Sequence, residues 1–214
     1  MDASILFERL EESAARHSHL CPRQVLGVRI GLAGAAALGL DAPRLDKRLL
    51  VILETDGCFA DGVEVTTGCS VGHRTLQVED YGKVAATFVD THTQQAVRVA
   101  PRLDVRQRAT NFLPQEPRHY FAQLRAYQMM ADDELLTIQA VQLTRSVGQL
   151  ISRAGVRVAC MNCGEEIINQ REVSRAGVML CIACAESAYY RVCEPDGISL
   201  SAIQPALEMA TDTI

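Results

Sequence analysis

The sequence predicts an α+β core, a mainly antiparallel sheet packed with helices, followed by a small treble-clef zinc finger at its C-terminal end. Three observations carry this. Residues 22–39 are apolar on nearly every helical side, which suits a helix inside a domain. The runs 48–55, 83–90, 95–100 and 135–143 are rich in aliphatic and β-branched residues and are bounded by turn chemistry. Two Cys-x2-Cys pairs follow beyond residue 158, spaced as zinc ligands are.

Taken in order, residues 3–16 place Ile5, Leu6, Arg9 and Leu10 near helical spacing and form the first helix. A short loop, 17–21, leads to Pro22, whose fixed φ suits the first turn of the second helix. Gly27, Gly31 and Gly34 in that helix cost propensity but let neighbouring backbone approach. The continuous apolar run 48–55 reads as a buried strand. A short helix over 59–66 and a glycine-punctuated turn over 67–72 come next. The runs 83–90 and 95–100, joined by polar 91–94, read as a hairpin. A proline-bounded break at 114–117 precedes a helix over 118–130, and 135–143 alternates as the last strand. The expected organisation is a core at 1–145, a connector at 146–157, and the zinc module with a C-terminal tail at 158–214.

Composition narrows the function classes. A net charge of −5 over 214 residues argues against nucleic acid as a main partner, because phosphate binding needs clustered Lys and Arg. The most apolar stretch, 30–40, is too short to span a bilayer. The acidic, amphipathic start is unlike an export signal. Paired cysteines without such a signal favour metal or redox chemistry in a reducing cytoplasm.

The pattern Cys160-x2-Cys163-x17-Cys181-x2-Cys184 supplies two thiolate pairs that can close a tetrahedron around one structural zinc ion. Gly164 allows the tight knuckle after Cys163. Residues 165–180 are long enough for a hairpin, and Cys184 is expected to open a helix. Knuckle, hairpin and helix are the parts of a treble clef. Cys193 lies beyond the ligand set and is expected to be a partly buried thiol.

A second constellation lies in the core. His17, His19 and Cys21 are spaced two apart, which in an extended loop projects them to one side. Cys21 also precedes the second helix, where free amides stabilise negative charge. Cys58 and Asp61 share one face of the short helix, and Cys69 sits in the glycine turn, where a buried cysteine is usually a small core residue. Imidazole, thiol and carboxylate are the groups from which metal sites and acid–base sites are built. Cys21, His19, Cys58 and Asp61 are therefore the candidate catalytic set, and His17, His19, Cys21 and Cys58 the candidate cofactor-binding set.

The segments HSHLCP (17–22), ETDGCFAD (54–61), TGCSVG (67–72), DYGK (80–83), QQAVRVA (94–100) and DDEL (132–135), in this order, resemble the signature of the FmdE-like proteins, a family named for formylmethanofuran dehydrogenase. The resemblance implies an α+β core, often dimeric, with a pocket lined by the histidine–cysteine segment and the second cysteine. It also implies an association with molybdenum or tungsten oxidoreductases and, in some members, a C-terminal treble-clef finger. Ser18 and Arg23 stand where glycines are usual, and His73 where lysine is usual.

The expected function is therefore handling of a metal or cofactor for such oxidoreductases. The core pocket would hold a second metal ion or a sulfur-containing cofactor, the chain would form a homodimer, and an oxidoreductase would be its partner. The alternative is an interaction or regulatory module with a zinc finger and a dimerising core. An enzyme with Cys21 as nucleophile and His19 as base is the third reading.

Overall fold

A computed structural model describes residues 3–151 and 155–191; Cys193 and the tail around it lie outside the described residues. The chain divides into two units, Met1–Ile151 and Ser152–Ile214. No helix among the described residues is long and apolar enough to cross a membrane.

The first unit begins with helices α1 (Ala3–His17) and α2 (Pro22–Ala37). Helix α2 is buried on nearly all sides, as its composition requires. Strand β1 (Leu49–Leu53), helix α3 (Cys58–Thr67) and strand β2 (Leu76–Val78) follow. Helix α3 stops at Gly68, which adopts the left-handed conformation at φ 70°. Strands β3 (Ala86–Asp90) and β4 (Ala96–Pro101) form the expected hairpin. Helices α4 (Val105–Phe112), α5 (His119–Met129) and α6 (Asp132–Leu135) lead to strand β5 (Leu136–Val141) and helix α7 (Val147–Ile151).

The sheet order is β2-β1-β3-β4-β5. Three of its pairings are antiparallel and one, β1 with β2, is parallel, with Val51 opposite Leu76. Alternation along β1 divides the core. Leu49, Val51 and Leu53 pack with Phe88, Val99, Phe59 and Val28 on the helix side. Leu50 and Ile52 point to the other face, where Leu150 of α7 covers them together with Val89 and Ala96. Burying each large apolar side chain in such a core contributes about 1.5–3 kcal/mol. Part of the expected connector is thus a helix packed on the sheet. Strand β2 and helices α4 and α6 were not expected either, and with β2 comes the parallel pairing.

Helices α2 and α3 cross with their backbones nearly touching. A Cβ on Gly27 would lie 2.3 Å from the Phe59 carbonyl oxygen, and one on Gly62 would lie 2.5 Å from that of Gln24. This approach fixes the start of α3 beside the start of α2. Arg29 ties α2 to the α5–α6 segment: its guanidinium, 3% exposed, donates to the carbonyls of Tyr127 and Met130 and to Asp132 Oδ1, each at 2.7 Å.

The second unit holds two small hairpins, β6 (Arg157–Ala159) with β7 (Glu166–Ile168) and β8 (Val173–Arg175) with β9 (Val178–Leu180), then helix α8 (Ile182–Ala185). Cys184 lies inside α8, and Cys181 is its N-cap. The helix is a single turn; the expected continuation through residues 186–191 does not form.

Candidate functional site

The core site gathers at the junction of three helices. His17 is the last residue of α1, Cys21 is the N-cap of α2, and Cys58 opens α3 after Gly57, whose φ is 73°. The loop between His17 and Cys21 is not extended, because Ser18 adopts φ 62°. This left-handed turn is the physical reason for the glycine usual at that position. It swings the two imidazoles together, with ring centroids 5.2 Å apart.

The contacts run in a string. Asp61 Oδ2 lies 2.9 Å from His17 Nδ1, and His17 Nε2 lies 3.1 Å from Cys58 Sγ. Cys21 stands next along, close enough to act on the Cys58 thiol. Burial pushes the Cys58 thiol up, and Cys21 pushes it further. The thiol–imidazole pair is therefore Cys58 with His17. The expected pairing of His19 with Cys21 is not among the contacts of the described residues, and His19 is exposed. Cys21 is buried, at 8% exposure, and its backbone N–H donates to Gln24 Oε1 at 2.9 Å. Gln24 also donates through Nε2 to Ser13 O of α1 at 2.9 Å.

Asp61 holds the Nδ1 side of the His17 ring, and Nε2 faces Cys58 Sγ. Cys58, Cys21 and His17 thus bring two thiols and an imidazole into a string, with the Asp61 carboxylate at its far end. A cavity of about 710 Å³ opens on Cys21 and Cys58, with Leu26, Tyr120 and Tyr127 on its wall. His17, His19 and Asp61 are not part of that wall.

Cys69 is a core residue. It is 1% exposed, and its thiol donates to the Leu49 carbonyl at 3.3 Å. The amides of its turn are satisfied internally, Cys69 N by Thr67 Oγ1 and Ser70 N by Thr75 Oγ1, so the segment is a turn and not an anion cradle.

The second site is the cysteine cluster. The sulfurs of Cys160, Cys163, Cys181 and Cys184 all lie within 4.8 Å of one another, and Cys163 Sγ and Cys181 Sγ are 4.0 Å apart. A tetrahedral ion with Zn–S distances of about 2.3 Å requires sulfurs about 3.8 Å apart, so the donor set fits a zinc-type ion. Backbone amides already point at the sulfurs, Cys181 N to Cys160 Sγ at 3.3 Å and Cys184 N to Cys181 Sγ at 3.4 Å. The amide of Cys163, then that of Cys181, pulls the Cys160 thiol down to about 6. The Glu165 amide pulls on Cys163 too, but its bond to Cys160, burial and the other two sulfurs push it up to about 12. Crowded thiolates repel one another, and a divalent cation relieves that repulsion. Among the described residues this is the cluster whose donor atoms all converge; the core set is a string.

Comparison with known proteins bears on the first unit most directly. The family described as "FmdE, Molybdenum formylmethanofuran dehydrogenase operon" matches residues 16–145. A curated Archaeoglobus fulgidus protein named "Probable S-adenosyl-L-methionine-binding protein" is 37% identical over 86 residues, which are 39% of this chain and 24% of that protein. The chain thus spans 24% of the length of that relative. The crystal structure of a tungsten formylmethanofuran dehydrogenase FmdE-like protein from Syntrophus aciditrophicus aligns with a TM-score of 0.56 at 23% identity. The alignment covers 87% of this chain and 95% of that one, a likeness of fold.

Proposed function

The chain belongs to the FmdE family, and on that premise we propose that it handles a metal ion or a sulfur-containing cofactor for oxidoreductases of the formylmethanofuran dehydrogenase type. The observation that supports this reading is the Asp61–His17–Cys58–Cys21 string, whose two cysteines line a cavity. A carboxylate on the far nitrogen of an imidazole is the usual way a ligating histidine is oriented. Two thiols beside the free nitrogen select soft ions and thiol-bound groups over hard cations. Such a group, when bound, supplies Lewis-acid or electron-transfer chemistry. The protein's own part is to hold it: Asp61 fixes the imidazole, and Cys21 and Cys58 release their protons as it enters.

The second unit fits the same proposal as a treble-clef finger with one structural zinc ion, serving as an accessory docking element for a partner oxidoreductase. The homodimer belongs to it as well. Strand β5 is a sheet edge whose residues Thr137, Ile138, Gln139 and Ala140 are exposed. It carries no charge or proline to discourage pairing, so a second copy fits along it. Light scattering tests this, with a monomer refuting it.

Metal analysis decides the main reading. The full chain is expected to carry two ions, one lost in Cys163→Ser and the other in Cys58→Ser and in His17→Ala. A single ion, retained in Cys58→Ser and lost in Cys163→Ser, refutes a core metal site. The same string favours a second reading, a thiol nucleophile, with Cys58 in that role and His17 as its base. Rapid alkylation of Cys58 in ion-free protein, slowed in His17→Ala, supports it.

A further inference from the structure

We infer that the cavity beside the thiols binds a small molecule carrying an oxyanion, a carboxylate or phosphate group. This rests on the reading of the thiols as the ligand-handling site and names the class of ligand they serve.

Acidic residues outnumber basic ones in this chain, 26 to 21. The wall of the cavity inverts that balance: Arg23, Lys83, Arg102 and Arg106 line it, and no aspartate or glutamate does. Elsewhere the arginines of this protein are mostly paired, as Arg48 is with Asp90 and Arg98 with Glu54. Arg23, Lys83 and Arg106 make no ion pair among the described residues. Arg102 donates through Nη1 to the Asp133 carbonyl at 3.1 Å, and its nearest carboxylate is Asp104 at 4.0 Å, itself engaged at 2.8 Å with Arg108. Leaving several cations unpaired around one concavity is electrostatically unfavourable until an anion enters.

The second observation is independent of charge. Tyr127, 1% exposed as a residue, lies on the same wall and brings a phenol to it. A phenol on a cavity wall is a hydrogen-bond donor to an acceptor that enters. Burial also pushes this phenol up to about 12, so it keeps its proton at neutral pH. The start of the 16-residue helix α2, through Pro22 and Arg23, adds its own positive pole to the cavity. Arginines, a lysine, a phenol donor and a helix start together form a complementary site for an oxyanion. The thiols stand on the same wall, so the rest of the bound molecule lies against them.

The test reads the cavity's potential through its thiols. The full-length protein is alkylated with neutral iodoacetamide and anionic iodoacetate, and labelling of Cys21 and Cys58 is followed by peptide mass. Where an ion blocks both reagents, the measurement follows its removal and dialysis. The four cations of the wall, after salt screening, are expected to raise the iodoacetate to iodoacetamide ratio about fivefold over that of free cysteine. Arg23→Ala with Arg106→Ala should return the ratio toward that of free cysteine, while Arg106→Lys should preserve it. Both arginines are exposed, so neither substitution threatens the fold. Millimolar inorganic phosphate or succinate should slow iodoacetamide labelling where sodium chloride of equal ionic strength does not. Protection by phosphate alone assigns a phosphate ligand, and protection by succinate alone a carboxylate. A ratio equal to that of free cysteine, thiols inert to both reagents after ion removal, or no protection by either anion overturns the proposal. Charge-dependent labelling and protection in a protein with no second ion would remove the metal reading and leave this one.

Discussion

Placing a methyl group on Gly27 tests the idea that the α2–α3 crossing sets the site. In Gly27→Ala the new Cβ would fall 2.3 Å from the Phe59 carbonyl oxygen and 3.1 Å from Gly62 Cα. Both obstacles are backbone, so no side chain can rotate away. Ordinary contact needs about 3.4 Å, so α3 must retreat by about 1 Å. Overpacking of this kind costs about 1–3 kcal/mol, and backbone-on-backbone contact belongs at the upper end. The better helix propensity of alanine returns about 1 kcal/mol, leaving a net loss of about 2 kcal/mol. For a chain of this size that is a Tm lower by about 4–8 °C in differential scanning calorimetry. Because α3 carries Cys58 and Asp61, the same shift should loosen the string to His17 and Cys21 and change the rate of Cys58 alkylation. Gly72→Ala, whose Cβ meets nothing within 4 Å, is the control and should leave the Tm within about 1 °C. A Gly27→Ala protein as stable as its parent would refute the claim that the two backbones must touch.

The remaining expectations concern other parts of the molecule. Arg29→Met leaves two buried carbonyls without their donor and should cost about 2–4 kcal/mol in urea denaturation; a loss below about 1 kcal/mol would contradict the assignment. Chelation, or Cys163→Ser, should abolish hydrogen-exchange protection across residues 155–191 while the sheet of the first unit keeps its own; protection unchanged in the cysteine module refutes the structural-ion assignment. Arg48, through three contacts at 2.9–3.2 Å, holds the Asp90 carboxyl well below the usual carboxylate range. The folded state therefore favours the charged carboxylate, and this stability is present above about pH 4 and lost as pH falls toward the folded value. Arg48→Met should flatten the acid limb of a stability–pH curve, and an unchanged limb would exclude Asp90 as its source.

The parts of the fold that could be read from sequence were those whose apolar pattern is set locally. Helix α2 was legible because it is buried on all sides, and β1, β3, β4 and β5 because their runs are aliphatic and bounded by turns. Strand β2 is three residues with one polar member, and α4 is a polar helix with Val105 and Ala109 its only buried residues, so neither carries a readable period. At the core site the sequence singled out residues that the fold does gather, His17, Cys21, Cys58 and Asp61, but paired them by spacing along the chain. The observed partner of His17 is Cys58, 41 positions away, and it meets the imidazole only because Ser18 turns left-handed and α3 starts against α2. The cations of the cavity come from α2, the segment before β3 and the region around α4, so nothing in their linear order announced them. The cysteine module was readable to its four converging sulfurs but not to its helix length.

Gln24 gives the core site a thermodynamic consequence. Its fully buried amide accepts from the backbone at Cys21 and donates to Ser13 in α1, so one side chain joins the helix that ends in His17 to the residue that opens α2. Only Leu10 and Ser13 of α1 are buried, which makes this helix an element prone to local opening. A ligand bridging His17 and the thiols binds only when α1 is docked, so by linkage its binding free energy is added to the docking of that helix. At a concentration a hundredfold above its Kd the gain is about 2.7 kcal/mol, and amide exchange in α1 should slow about a hundredfold. The terminal helix then reports occupancy of the site without itself touching the cavity.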